Sequence, residues 1–258
     1  MNAWHPQWIV PEWSAPGAVR ALITTRAGGT SAAPFDAAGG GGMNLGFGSG
    51  DDRAAVAANR ARLRAALPAM PGWLKQVHGA RVVDAAEAAA ASSPLEADAA
   101  LTDRPGAVAV AMMADCLPVL LADARGRGVA VAHAGWRGLV AGVIQASARA
   151  LRERMADPSA GLIAYLGPAI GPDHFEVGPE VRDAAASSLA GAEAFFVPHG
   201  SGKYRADLFA LGRLALAQEG VDAVFGGGVC TYCDAVRFYS HRRDRVTGRH
   251  AALIWLEA

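Results

Sequence analysis

The sequence predicts a mixed α/β fold of the α+β kind, and three observations carry that prediction. The centre of the chain holds short apolar runs of strand length, separated by polar or Gly-rich turns. Helix-length segments with capping signals occur before and after them. The two kinds alternate irregularly, so no βα repeat emerges and periodicity leaves the topology open. With 258 residues, 52% of them hydrophobic, the chain can bury one large core or two small ones. No repeat and no long linker divides it, so residues 1–258 read as one domain.

In chain order, residues 18–25 form a short strand that runs into a turn at Gly28 and Gly29. Residues 37–43 contain four consecutive glycines and read as a flexible loop. Asp51 or Asp52 caps a helix that carries Val56, Leu63 and Leu67 and ends before Pro68. Residues 84–91, nearly all Ala, read as helix or loop. Residues 107–113, 118–122 and 128–133 read as buried strands. A helix follows over residues 139–155, with its arginines gathered late, where the helix C-terminus favours them. Two more helices span residues 179–189, opened by Pro179 and closed by Gly191, and residues 207–219, capped by Asp207 and closed by Gly220. Residues 236–240 resemble strand, and residues 251–256 form a terminal strand.

Charge and cysteine content narrow the function. Lys+Arg and Asp+Glu are both 24, so the basic surplus of a nucleic-acid binder is missing. The most apolar region, residues 106–122, is interrupted by Asp115 and Pro118 and does not read as a membrane span. No signal-peptide pattern opens the chain, and three cysteines make no disulfide framework. The expectation is a cytoplasmic enzyme acting on a small molecule.

Three side chains able to hold a metal stand at strand ends. His78 lies in Gln76-Val77-His78-Gly79, Cys116 in Ala114-Asp115-Cys116-Leu117-Pro118, and His133 in His133-Ala134-Gly135-Trp136-Arg137-Gly138. Two imidazoles and a thiolate suit Zn²⁺ and leave a fourth position open. The residues taken alone leave a second reading open, since a His beside an apolar strand often bonds within the core and a lone Cys often only packs. Gly79 and Gly135 would let backbone, metal or substrate come close. Asp115 and Arg137, beside two of the candidate ligands, could donate a proton and hold an anion, or form ordinary ion pairs. Cys230-Thr231-Tyr232-Cys233 invites a metal or redox reading, but no second Cys pair completes a zinc ribbon. A thioredoxin-like pair wants a strand-to-helix turn where residues 236–240 resemble strand, and a structural or incidental role is the simpler reading. The stretch His241-Arg242-Arg243-Asp244-Arg245 reads as a solvated turn, and Leu166-Gly167-Pro168-Ala169-Ile170-Gly171-Pro172 as a rigid loop.

These segments, with Thr24-Thr25-Arg26-Ala27-Gly28-Gly29, Asn44-Leu45-Gly46, Ala99-Ala100-Leu101-Thr102-Asp103, Phe238-Tyr239-Ser240 and Thr247-Gly248-Arg249, run in one order from about residue 20 to the C-terminus. In that order they resemble the YfiH/laccase-domain family, known also as multicopper polyphenol oxidase, peptidoglycan editing factor and purine nucleoside phosphorylase. The resemblance implies a central β-sandwich flanked by helices, similar to the catalytic domain of cytotoxic necrotizing factor toxins. It implies Zn²⁺ on His78, Cys116 and His133, with Cu²⁺ the lesser candidate. It implies phosphorolysis of adenosine, inosine and 5′-methylthioadenosine, with deamination of adenosine as a side activity. Arg26, Ser31, Asn44 and Arg137 fall in segments expected near the substrate. Two departures stand out: the Gly39 to Gly42 run enlarges the loop before Asn44, and Cys233 is an extra thiol.

For that chemistry, Arg26 and Arg137 are candidates to grip phosphate, and Asp115 is a candidate acid or base. The Glu that usually follows the His ligand of a nucleobase deaminase is absent after both His78 and His133. The expected partners are purine nucleosides and phosphate, with no nucleic acid or membrane, in a monomer or weak homodimer. Three other readings compete. A multicopper oxidase needs closely spaced imidazoles, and no His-x-His occurs here. An amidase-like editor of a nucleotide-linked peptidoglycan precursor would use Cys116 as nucleophile. A non-catalytic binding module would function without metal.

Overall fold

Strand-length apolar runs need neighbours on both edges for their backbone groups and cover on both faces for their side chains. The computed structural model, which describes residues 4–257, supplies both. In chain order the strands are β1 (Val19–Ile23), β2 (Ala27–Ser31), β3 (Leu74–Lys75), β4 (Val82–Asp84), β5 (Leu95–Glu96), β6 (Ala99–Thr102), β7 (Val108–Met113) and β8 (Leu117–Asp123). They continue as β9 (Val129–Ala134), β10 (Leu162–Leu166), β11 (Glu176–Val177), β12 (Phe196–His199), β13 (Lys203–Ala206), β14 (Ala223–Gly226) and β15 (His250–Leu256). The α-helices are α1 (Arg53–Ala65), α2 (Ala85–Ala90), α3 (Trp136–Val140), α4 (Val143–Arg154), α5 (Pro179–Ser188), α6 (Leu208–Gln218) and α7 (His241–Asp244).

A three-stranded sheet in the order β1-β15-β7 packs on a six-stranded sheet in the order β14-β10-β8-β9-β6-β4. The period-two alternation of the strands sorts the cores. In β15, Ala252, Ile254 and Leu256 face the larger sheet, while Ala251, Leu253 and Trp255 pack toward Leu63 of α1. In β8, Leu120 and Ala122 meet the smaller sheet, while Leu117, Val119 and Leu121 meet Ile144 of α4 and Leu211 of α6. Helices therefore cover the outer faces of both sheets. The central strands are buried on both sides, which is why their sequences are apolar without alternation.

The capped elements follow the sequence closely. Asp52 accepts the Ala54 N–H at the start of α1, Asp84 accepts the N–H groups of Ala86 and Glu87 in α2, and Asp207 opens α6 in the same way. Three expectations are corrected. The helix expected over residues 139–155 is two helices, because the chain turns left-handed at Gly142, with φ +84°. Residues 236–240 form a turn followed by irregular chain, with the Arg237 N–H on the Asp234 carboxylate, and not a strand. The glycine loop is not simply flexible, since a Cβ on Gly42 would fall 1.6 Å from the Phe35 carbonyl oxygen. Among the described residues no helix is long and apolar enough to cross a membrane.

Candidate metal centre

The three expected ligands come together. His78 follows β3 in a loop, Cys116 sits in the connection between β7 and β8, and His133 points from β9. One donor atom from each lies within 4.8 Å of the others, and His78 Nε2 is 4.0 Å from Cys116 Sγ. Among the described residues they form a group of His, Cys, Asp and Glu donors able to hold a metal, with His78 exposed, Cys116 half-buried and His133 buried.

Asp98, which the sequence reading left without a role, builds this geometry. It stands just before β6 and is fully buried. Its carboxylate accepts the N–H groups of Val77, His78 and Gly79 at 3.0, 2.9 and 2.7 Å. Those bonds hold His78 at φ +62°, a conformation that a non-glycine residue keeps only when its surroundings insist on it. The same carboxylate lies 2.9 Å from His133 Nδ1, which leaves Nε2 of that ring for a metal. Burial opposes the charge of Asp98. The His133 ring and the N–H groups of Gly79 and Val77 outweigh it and keep the carboxyl below the ordinary carboxylate range. A lone Asp in the small apolar run Ala97 to Leu101 was the available signal, because a buried carboxylate must have partners.

Cys116 and His133 are electrostatically coupled. Burial disfavours the thiolate, but the charge and hydrogen bonds of His133, then those of His78, bring Cys116 down to about 6. Burial likewise disfavours the imidazolium, yet the Cys116 charge and the Asp98 bond raise His133 to about 9. The donor set fits a metal ion, since the thiolate forms near neutral pH and one ring is already oriented. Gly135 keeps the space open, because a Cβ there would stand 2.7 Å from Cys116 Sγ and 3.2 Å from His78 Cδ2. Gly135→Ala should therefore displace the sulfur and weaken metal affinity about tenfold or more, read by competition with a chromophoric chelator. Unchanged affinity would show that the sulfur can shift without loss.

Asp115, next to Cys116, is buried and bonded to three other segments. Its Oδ1 accepts the Thr231 hydroxyl and its Oδ2 the Arg242 N–H, both at 2.7 Å. Its carbonyl accepts the Ile170 N–H, and its own φ is +89°. Each carboxylate oxygen thus holds one donor, an arrangement in which Asp115 positions the Thr231 and Arg242 segments beside Cys116.

A cavity of about 510 Å³ opens over the three candidate ligands. It is lined besides by Phe47, Ser49, Gln76, Met112, Arg137, His241 and Arg249. Of the expected substrate residues, Arg137 is there, with its guanidinium 4.3 Å over the Trp136 ring. The other three stand apart from this lining. Arg26 donates to the carbonyls of Asp36 and Ala235 and covers the Tyr239 ring at 4.9 Å, which removes it from the cavity. Ser31 is buried and accepts from Asn59. Asn44 acts one step back: it donates to Ser49 and Asp51 and accepts the N–H groups of Gly46 and Arg249, clamping the loop that forms one wall. Gln76 pairs through both ends of its amide with the backbone of Met112, at 2.8 Å each way, and fixes another wall. Arg249 lies in a matching segment that assigned it no role, and His241 in the stretch expected as a solvated turn; only the tertiary fold brings both into the cavity with the candidate ligands.

A two-layered β-sandwich with a His₂Cys centre and an arginine-bearing cavity defines the class: an enzyme-type domain able to hold a metal in an open site. Its family is shown by comparison. Residues 20–257 match the family model described as multi-copper polyphenol oxidoreductase laccase, and the chain belongs to that family. A Pseudomonas aeruginosa protein named as a purine nucleoside phosphorylase is 49% identical over 258 residues, the whole of both chains. The Escherichia coli protein named purine nucleoside phosphorylase YfiH is 47% identical over 250 residues, 96% of this chain and 98% of that one. A crystal structure of a Neisseria meningitidis protein superposes with a TM-score of 0.88 at 43% identity, covering 98% of this chain and all of that one. The structure of YlmD from Geobacillus stearothermophilus gives 0.83 at 31% identity, covering 94% and 93%.

Proposed function

We propose that the protein is a zinc-dependent purine nucleoside phosphorylase acting on adenosine, inosine and 5′-methylthioadenosine, with deamination of adenosine as a side activity. The observation that carries the reading is the shared cavity: His78, Cys116 and His133 line the same space as Arg137 and Arg249. Two guanidinium groups beside an open metal site suit a phosphate co-substrate. The names of relatives 47% and 49% identical point the same way.

Zn²⁺ held by His78, Cys116 and His133 would supply Lewis-acid polarisation and a lowered pKa for a bound oxygen. The remaining work falls to the chain. Arg137 and Arg249 hold the phosphate dianion, and Arg249 replaces Arg26 in that role. Phe47 and Met112 offer an apolar wall to the purine, and Gln76 keeps Met112 in place. His241 Nδ1 lies 2.9 Å from the Arg245 carbonyl, so Nδ1 carries a proton and Nε2 is the nitrogen that exchanges one with the departing purine. The substrates are small molecules, with no nucleic acid or membrane surface, and the chain acts in the cytoplasm as a monomer or weak homodimer.

The test is product analysis with adenosine, with and without phosphate, alongside metal determination. Adenine and ribose 1-phosphate formed only with phosphate, by protein holding zinc, support the reading. Inosine formed without phosphate supports the side activity. No purine product from zinc-loaded protein would sink the reading.

One observation favours a second reading. The coupled Cys116–His133 pair, with the thiol at about 6 and the ring at about 9, also suits a nucleophile and its acid. An amidase-like editor of a nucleotide-linked peptidoglycan precursor would use it, and a covalent adduct trapped on Cys116 in metal-free protein would favour that activity. The copper oxidase reading has less support, since the described residues bring no second cluster of histidines to this site for further coppers.

A further inference from the structure

Cys230 and Cys233 lie in the turn that follows β14 and is bonded to Asp115 through Thr231. Cys230 is half-buried and Cys233 exposed, and both line a separate cleft of about 670 Å³ with Asp173, His174 and Arg237. Cys230 Sγ accepts the N–H of Gly171 at 3.2 Å and of Cys233 at 3.4 Å. Gly171 approaches this closely because it lacks a side chain, for its Cβ would meet both Cys230 Sγ and Cβ at 3.2 Å. The chain closes on itself here, with the Asp234 N–H on the Cys230 carbonyl, so the two thiols sit one turn apart. That separation is compatible with a disulfide.

The two residues between the cysteines are tied to the rest of the site. The Thr231 hydroxyl donates to Asp115, the neighbour of Cys116. Tyr232 stacks on His174 with centroids 4.1 Å apart. Arg243 Nη1 donates to the carbonyls of both Thr231 and Tyr232. A change in the turn cannot leave Thr231 where it is without bending these bonds.

We infer that Cys230 and Cys233 form a reversible dithiol–disulfide site, oxidised by low-molecular-weight disulfides, whose closure is transmitted through Thr231 to the Asp115–Cys116 segment. In the first step the Cys230 thiolate attacks one sulfur of the small disulfide; a mixed disulfide forms and one small thiol leaves. Cys233 then gives up its proton and attacks Cys230 Sγ, expelling the second small thiol. The protein loses two electrons and two protons, and one small disulfide becomes two thiols. Cys230 lines the cleft, where a small disulfide can reach its sulfur. Cys233 is held protonated longer than an ordinary thiol, first by its hydrogen bond to Cys230 and then by burial, and its proton is released more readily once Cys230 is in the mixed disulfide and that bond is lost.

The probe is oxidised glutathione, applied to the purified protein with its metal. Free thiols are then alkylated and the peptides weighed. The expected product is a peptide spanning Cys230 and Cys233 that is two hydrogens lighter, restored by dithiothreitol. Cys233→Ser should instead retain one glutathione on Cys230. Two alkylatable thiols in the treated wild type, or a stable glutathione adduct there, would overturn the site. Transmission is read separately by hydrogen exchange, which needs neither catalysis nor metal. The amides of Ile170 and Arg242, both bonded to Asp115, should exchange several-fold faster in the disulfide form than in the reduced protein or in treated Cys233→Ser. Equal exchange in a protein that has formed the disulfide would overturn the transmission.

Discussion

Cys116→Ala is expected to lose the bound metal and to reduce turnover by on the order of a thousandfold, equivalent to about 4 kcal/mol of transition-state stabilisation. The sulfur is one of three donors within 4.8 Å, and two imidazoles with no thiolate make a far weaker site for zinc. The fold should survive, since Cys116 lies in a connection and is only half-buried. Metal content and turnover should fall together while the unfolding transition of the metal-free proteins stays close to that of the wild type. A variant that keeps its metal and works within a few-fold of the wild type would show that the cysteine is not a ligand. A variant that keeps its metal but loses all turnover would turn attention to Cys116 as a nucleophile.

Asp98→Ala should have the larger structural effect. The substitution strands the N–H groups of Val77, His78 and Gly79 and removes the partner of the His133 ring. Loss of a fully buried acceptor of this kind costs about 3 kcal/mol, or roughly 6–12 °C in the unfolding midpoint for a chain of this size. Metal affinity should fall about 10–100-fold, because His78 loses its backbone conformation and His133 its orientation. The pH dependence has a definite sign. The folded protein holds Asp98 below its ordinary value, so its contribution is present above about pH 4 and fades as pH falls through the lowered value. His133 works in the opposite direction in metal-free protein: raised to about 9, it contributes below its unfolded value near 6.5 and loses that contribution as pH rises through about 9. Thermal unfolding of wild type and variant between pH 3 and 10 checks both limbs. A stability difference that grows toward low pH would contradict the assignment of Asp98.

Local signals survived folding where the interaction is itself local. Asp52 and Asp207 cap helices because a side-chain oxygen reaches a backbone N–H two or three residues on, whatever the rest of the chain does, and Asp84 does the same in a segment whose near-uniform Ala left helix or loop open. The apolar runs of β7, β8 and β9 had nowhere to go but a core covered on both faces. His78, Cys116 and His133 were nameable because their residue types are few and their order along the chain matched a family. Residues 236–240 failed as a strand because β propensity needs a partner strand, and the chain there is engaged with Asp234 instead.

The sequence by itself thus determined the class of fold, the capped helices, the central strands and the three metal-capable side chains. The tertiary structure alone decided which polar groups serve that centre. Asp98 meets His78 and His133 only because β6 pairs with β9 and the loop after β3 folds back over them. Arg249 and Arg26 both lie in matching segments, yet Arg249 joins the cavity because the chain entering β15 passes over it, while Arg26 is drawn off by the carbonyls of Asp36 and Ala235. The physical reason is common to all of them. A buried carboxylate or guanidinium goes where unpaired partners wait, and those partners are supplied by segments distant in sequence.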